Sequence, residues 1–178
     1  MIGTVMDSSP PAPDPGGPPA PGASRLETIA EQTAAIDLLV DLAQARLCVF
    51  DRNLAEGGWD SARRAEGLAA FLRRSKAARI SIIVHDARFL EASCPRILGL
   101  LKFYSHALEI WRTGPEAQAA QDALVIADQA HCLHRYHVEA PPATLTIAMP
   151  QAVKPLITRF EEIWATGEPA LGGSVLGL

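Results

Sequence analysis

Residues 79–86 read Arg-Ile-Ser-Ile-Ile-Val-His-Asp, an apolar run that ends on two polar residues. Its β-branched content is typical of a strand buried on both faces. Similar strand-like runs lie at residues 46–51 and 108–112, and helical patterns separate the three runs. The order helix, strand, helix, strand, helix, strand predicts parallel strands covered by helices.

Capping residues and apolar spacing indicate where the helices begin. Ser24 and Glu27 have capping-box spacing, so the first helix is expected from about Leu26 to Gln44. A second helix is expected after Asp60 or Ser61, and a third from Pro95, since proline suits the first turn.

The second half of the chain has a different pattern. Strand-like runs at residues 123–127, 132–138 and 144–148 are separated by turns short enough for hairpins. A one-sided apolar stripe then predicts a final helix, with Pro155 in its first turn. The predicted fold class is α/β: a mostly parallel sheet with covering helices, and antiparallel hairpin strands in the second half.

The composition predicts one domain behind a tail. The chain has 178 residues, of which 48% are hydrophobic, as in a single globular domain. Residues 1–25 are expected to be a disordered tail, because prolines and glycines crowd them, and residues 26–178 are expected to form the domain. The prolines of this tail are Pro10, Pro11, Pro13, Pro15, Pro18, Pro19 and Pro21.

Charge and cysteine content narrow the functional classes. The formal net charge of −4 supplies no broad positive field, so nucleic-acid binding is not expected. No stretch approaches the ~18 apolar residues of a membrane span, and the N-terminus lacks the pattern of a secretory signal. Three widely spaced cysteines, Cys48, Cys94 and Cys132, are expected to be buried thiols. A cytoplasmic location without a cofactor is expected.

Three predicted strands end in aspartate, at Asp51, Asp86 and Asp128. Ligands bind at the carboxyl ends of parallel strands, and clustered carboxylates there can hold Mg²⁺ for phosphoryl chemistry. A metal-dependent phosphodiesterase or nuclease is therefore one hypothesis. The alternative is that each aspartate caps a helix or a turn, which suits Asp86 in particular.

Histidines recur every third residue at His131, His134 and His137. Strand alternation puts His131, Arg135 and His137 on one face and His134 on the other, which argues against a metal site. His131, Arg135 and His137 are candidates for binding an anion instead, and His85 is a further candidate ligand-binding residue. The densest basic stretch is expected to be a solvated outer face. It comprises Arg63, Arg64, Arg73, Arg74, Lys76 and Arg79.

The stretch from Gln121 onward resembles the phospholipase D superfamily. Asp128 matches the aspartate of its His-x-Lys-x4-Asp motif, and Phe160 and Trp164 fit its closing helix. Gln121 and Ala123 stand where the catalytic histidine and lysine should be, so the resemblance implies a degenerate site with no catalytic residues. Arg135-Tyr136 replaces the later Gly-Ser pair.

The chain also resembles an uncharacterised bacterial domain family. The shared features are the strand ends Phe50-Asp51-Arg52 and Val84-His85-Asp86 and the strand at residues 134–137. The resemblances imply a non-catalytic half-domain that binds a phosphate-bearing ligand or a protein partner and self-associates as a homodimer. Its candidate ligand-binding residues are Asp51, His85, Asp86, Asp128, His131, Arg135 and His137. A purely structural, scaffolding domain is a third hypothesis.

Overall fold

One sheet of eight strands forms the centre of the computed structural model, which describes residues 19–171. The strands are β1 Gly22–Leu26, β2 Arg46–Asp51, β3 Arg79–Val84, β4 Leu108–Arg112, β5 Ala123–Ala127, β6 His131–Arg135, β7 Ala143–Ile147 and β8 Glu168–Pro169. The helices are α1 Ile29–Leu42, α2 Ala62–Arg74, α3 Arg88–Ser93, α4 Pro95–Phe103 and α5 Pro150–Ala165. Most of the predicted disordered tail, and residues 172–178, lie outside the described residues.

The strand order across the sheet is β1-β7-β6-β5-β2-β3-β4-β8. β3 pairs in parallel with both β2 and β4, as the alternating first half predicts. The remaining pairings among the described strands are antiparallel, including that of β5 with β2. The α/β class and the hairpin strands are confirmed, and the parallel part is confined to three strands.

Helices cover both faces of the sheet. Helices α1 to α4 pack on one face, over Leu47, Val49 and Ile82. Helix α5 packs on the other face, over Cys48, Phe50 and Leu124. Strand alternation therefore decides which helical layer each side chain meets. No helix within residues 19–171 is long and apolar enough to cross a membrane.

The predicted start of the first helix is wrong. Ser24 lies in β1, which pairs antiparallel with β7, and its expected capping partner Glu27 follows the strand. The capping box is formed one turn later, where Thr28 accepts from the Glu31 N–H and Glu31 accepts from the Thr28 N–H. β1 was missed because its short polar sequence shows no alternation of apolar and polar residues. The sheet begins at Gly22, within the stretch that was predicted to be the tail.

Helix α5 begins at Pro150, so Pro155 lies inside the helix and not in its first turn as predicted. The Met149 carbonyl accepts from the Ala152 and Val153 N–H groups and thereby starts the helix. Phe160 is buried, and Trp164 stacks on it and also packs against Trp111 of β4. The closing helix implied by the phospholipase D resemblance is therefore present.

Arg64 is buried, contrary to the solvated face expected for it. Only 1% of the residue is exposed, and Nε donates to Asp37 Oδ1 at 2.7 Å. The guanidinium also donates to the Thr33 and Gly57 carbonyls and lies over the Trp59 ring. Arg64 thus ties α1 and α2 to the loop after β2. Helical periodicity misses this role because the acceptors come from other elements.

Asp128 directly follows β5 and has a left-handed conformation, with φ of 54°. Its carboxylate accepts the backbone N–H groups of Gln44, Ala45 and Arg46 at 2.8–3.0 Å. Aspartate tolerates this conformation better than most residues, and a carboxylate can accept several N–H groups at once. Asp128 therefore fixes the entry into β2.

Replacing Asp128 tests this capping role. Asp128→Ala should lower the free energy of unfolding by about 2–3 kcal/mol, because three N–H groups lose their acceptor. Asp128→Gly removes the same acceptor but relieves the left-handed conformation, so it should cost about 1 kcal/mol less than alanine. Urea denaturation measures both values. Equal stability of Asp128→Ala and the wild type would contradict the assignment.

Candidate functional site

The carboxyl end of the sheet, where β2, β3 and β4 end, carries two adjoining cavities of about 460 and 220 Å³. Arg52 lines both of them, and we call the pair the carboxyl-end cleft. The larger cavity is lined by Arg52, His85, Asp86, Ala87, Arg88, Glu91, Arg112, Gln118 and Ala170. The smaller is lined by Asp51, Arg52, Asn53, Ala55, Glu56, Arg135 and Val138. Such a position is the usual place for ligands in open α/β sheets.

Three exposed arginines contribute the positive charge of the cleft. Arg88 pairs with Asp86, and hydrogen bonds from Arg88 lower the pKa of Asp86 to about 2. Arg112 pairs with Glu168, and Arg52 makes a long contact of 3.5 Å with Glu139. Exposed ion pairs of this kind contribute about 0–1 kcal/mol each, so their guanidinium groups can exchange partners at little cost.

His85 lies at the cleft with both ring nitrogens engaged. Nε2 is 2.8 Å from the Ala120 carbonyl, so Nε2 carries the hydrogen, and Nδ1 accepts from the Thr113 hydroxyl at 2.7 Å. Gln118 Nε2 donates to the same hydroxyl, and the His85 ring meets Phe50 edge-on. His85 is thereby held in one orientation and one tautomer.

Asp51 and Arg135 lie together on the α1 side of the cleft. Burial raises the pKa of Asp51, although hydrogen bonds from the Leu54 and Asn53 N–H groups and the charge of Arg135 oppose the shift. Arg135 donates to the Ala140 and Val138 carbonyls and pairs with Glu56. Its donors therefore hold the loop after β6.

Asp122 forms an ion-pair cluster that the sequence analysis did not find. Arg159 of α5 binds the Asp122 carboxylate through two nitrogens at 2.6–2.7 Å, and His134 Nε2 lies 3.4 Å from it. Burial raises the pKa of Asp122, but the hydrogen bonds from Arg159 and His134 outweigh burial and hold it well below the usual range. The one sign of this cluster in the sequence is that Asp122, a charged residue, directly precedes the buried strand β5.

Asp128 and His131 lie at the opposite end of the sheet. Because β5 runs antiparallel to β2, its carboxyl end lies beside Arg46, where β2 begins. The hypothesis of a metal site built from Asp51, Asp86 and Asp128 is therefore wrong, since it assumed parallel strands. No group of three or more His, Cys, Asp or Glu side chains that could hold a metal occurs within residues 19–171.

The histidine series does not converge either. His131 Nδ1 accepts from the Ala148 N–H at 3.0 Å, whereas His134 faces α5 beside Asp122. β6 ends at Arg135, shorter than predicted, so the exposed His137 lies in the following loop and accepts from the Glu139 N–H. His137 thus lies at the carboxyl end of the sheet, like Asp51, His85, Asp86 and Arg135, but it does not line the cleft.

Gln121 and Ala123, the positions that the sequence resemblance assigns to the motif histidine and lysine, lie at the start of β5, at the carboxyl end of the sheet. Gln121 is exposed, and its carbonyl accepts from the Val138 N–H. Ala123 is buried and pairs with Arg135 across the β5–β6 ladder. An amide and a methyl group here supply neither an imidazole nucleophile nor a cation.

The three cysteines are buried and free, as expected. Burial raises the pKa of Cys48 to about 11 and that of Cys132 to about 12. Both thiols therefore stay protonated at neutral pH and are not poised as nucleophiles.

The Asp122–Arg159 pair gives a pH-dependent prediction. The folded-state pKa of Asp122 lies below its unfolded value of about 3.9, so the pair stabilises the fold above that pH and loses this contribution as the pH falls. Asp122→Asn should cost about 2 kcal/mol at pH 7. Urea denaturation measures the difference in free energy of unfolding between the wild type and Asp122→Asn. This difference should become smaller as the pH falls from about 5 to about 2. A difference that is constant with pH would contradict this account.

Solved structures of three proteins share the fold. TrmBL2, an archaeal chromatin protein, has a TM-score of 0.61 at 14% identity, over 83% of this chain and 53% of that one. Nuc, a phospholipase D family member from Salmonella typhimurium, has a TM-score of 0.57 at 12% identity, over 84% and 98%. NucT from Helicobacter pylori has a TM-score of 0.56 at 10% identity, over 83% and 98%. This chain therefore has a phospholipase-D-like fold and spans about half of TrmBL2.

Sequence comparisons identify the family. No curated protein matches the chain. One family profile, described as a domain of unknown function, matches residues 28–171, which include every helix and all strands but β1 of the described sheet. The match covers most of the 178 residues, and the chain belongs to this family, DUF7931.

Proposed function

We propose that the chain is a non-catalytic phospholipase-D-like domain that binds a phosphate-bearing ligand in the carboxyl-end cleft. The observation that carries the proposal is the set of three exposed arginines, Arg52, Arg88 and Arg112, around one cavity of about 460 Å³. Guanidinium groups match the planar geometry of phosphate oxygens and bind them with two hydrogen bonds each. Glu91 and Asp86 are the acidic side chains that line the same cavity.

Phosphate binding is favourable because the arginines of the cleft can exchange their present carboxylate partners for a phosphate group. Arg52 and Arg112 contact carboxylates whose side chains are more than half exposed, so water already screens these pairs. A dianionic phosphate presents more charge than one carboxylate and can contact several guanidinium groups at once. The ligand would displace Glu139 and Glu168 into solvent, where carboxylates are well hydrated.

The residues at the motif positions support a binding role without chemistry. Gln121 cannot form a phospho-histidine, and Ala123 cannot neutralise a phosphate oxygen. His85 could not readily replace the missing nucleophile, since both of its nitrogens already have partners. Arg135 is also occupied, so the anion site proposed here rests on the three exposed arginines.

The source of the phosphate group is left to experiment. TrmBL2 is described as showing a novel mode of DNA binding, which makes nucleic acid one source to compare. The net charge of −4 favours a small phosphate compound over a long polyanion. Binding of a protein partner and self-association as a homodimer stay predictions of the sequence.

A thermal-shift series tests the proposal. Inorganic phosphate, adenosine monophosphate and a short single-stranded DNA should each be compared with sodium chloride at matched ionic strength. At ten times the dissociation constant a ligand stabilises the native state by about 1.4 kcal/mol, which raises the melting temperature by about 3–5 °C. Arg52→Gln/Arg112→Gln should abolish the shift.

Arg73→Gln provides the matched control, because Arg73 is exposed near the end of α2 and lines neither cavity of the cleft. This variant should keep the full shift with phosphate. No shift in the wild type, or an equal shift in the double variant, would contradict the proposal and favour a scaffolding role. The ligand concentration that produces half of the maximal shift ranks the three phosphate compounds by affinity.

A further inference from the structure

A separate cavity of about 490 Å³ lies at the amino end of the sheet. It opens between the start of β2, the β5–β6 turn and the carboxyl half of α5. Its lining is apolar on one side, where the partly exposed Ile157 lies beside the almost fully buried Cys48, Ile126 and Phe160. Its volume lies within the range of about 300–1,000 Å³ that is common for small-molecule sites. It lies at the opposite end of β2 from the carboxyl-end cleft.

The rim of this cavity carries more negative than positive charge. Asp128 and Glu161 are its carboxylates, and Arg46 is its one cation among the residues that line it. Arg46 contacts Glu161 at 3.2 Å, with both side chains roughly half exposed. Asp128 is fixed by three backbone N–H groups, so Glu161 is the carboxylate that can turn toward a ligand.

We propose that this cavity binds a small organic cation with a flat apolar body. The body would pack against Ile157, over the buried Ile126 and Phe160, and the ammonium group would remain at the rim near Glu161. Removal of the apolar body from water into the cavity contributes affinity that grows with the area buried. The net negative rim then favours a cation over a neutral or anionic relative of the same shape.

Three ligands with one aromatic body test the proposal. Naphthalen-2-ylmethylamine, naphthalen-2-ylmethanol and 2-naphthoate carry a cation, a neutral group and an anion. Ligand-observed NMR and titration of naphthalene fluorescence measure their dissociation constants. The amine should bind about five-fold more tightly than the alcohol, and the acid more weakly than both.

Two variants and one control separate shape from charge. Ile157→Trp fills the mouth of the cavity and should weaken all three ligands by at least about ten-fold. Glu161→Gln should bring the amine to the level of the alcohol, whereas Glu162→Gln, on the same helix but outside the cavity, should change nothing. Absence of amine binding to the wild type, unchanged binding to Ile157→Trp, or tightest binding of the acid would overturn the proposal.

Discussion

The antiparallel pairing of β5 with β2 is the constraint on which the rest of the structure depends. It places Leu124 beside Phe50 and Ala127 beside Leu47, so β5 begins where the parallel strands end. Gln121, Asp122 and Ala123 therefore lie at the carboxyl end of the sheet, and Asp128 at the amino end. A parallel β5 would have collected the three strand-end aspartates at one place. The observed direction gives Asp128 a structural role, as the cap of the residues that enter β2.

The two ends of the sheet consequently differ in chemistry. The carboxyl end combines a fixed histidine, a partly buried acid and three exposed guanidinium groups, and the proposed phosphate site rests on these groups. The amino end combines an apolar lining with a net negative rim. The fold is phospholipase-D-like, and Gln121 and Ala123 stand at the start of β5, at the positions that the sequence resemblance assigns to a histidine and a lysine. A fold alone does not set the function, so binding in place of chemistry stays the proposal.

Sequence reasoning predicted the elements with strong local patterns. The runs at residues 46–51 and 79–84 are strands with mostly buried apolar residues, and Ser61 caps α2 and Pro95 begins α4 as predicted. β1 could not be predicted, since its polar residues join the sheet only through pairing with a distant strand. The direction of β5 could not be predicted either, nor could the partners of Arg64 and Asp122. These features depend on tertiary contacts between elements far apart in the chain, which local spacing does not encode.

The most direct test of the carboxyl-end cleft is a two-dimensional ¹H–¹⁵N NMR titration with inorganic phosphate. The backbone amides of Arg52, Ala87, Arg88 and Thr113 should shift together along one saturable curve. Those of Ala45, Gln129 and Ala130, at the amino end, should stay in place. Shifts concentrated at the amino end, or no saturable shift at either end, would contradict a phosphate site at the end of the parallel strands.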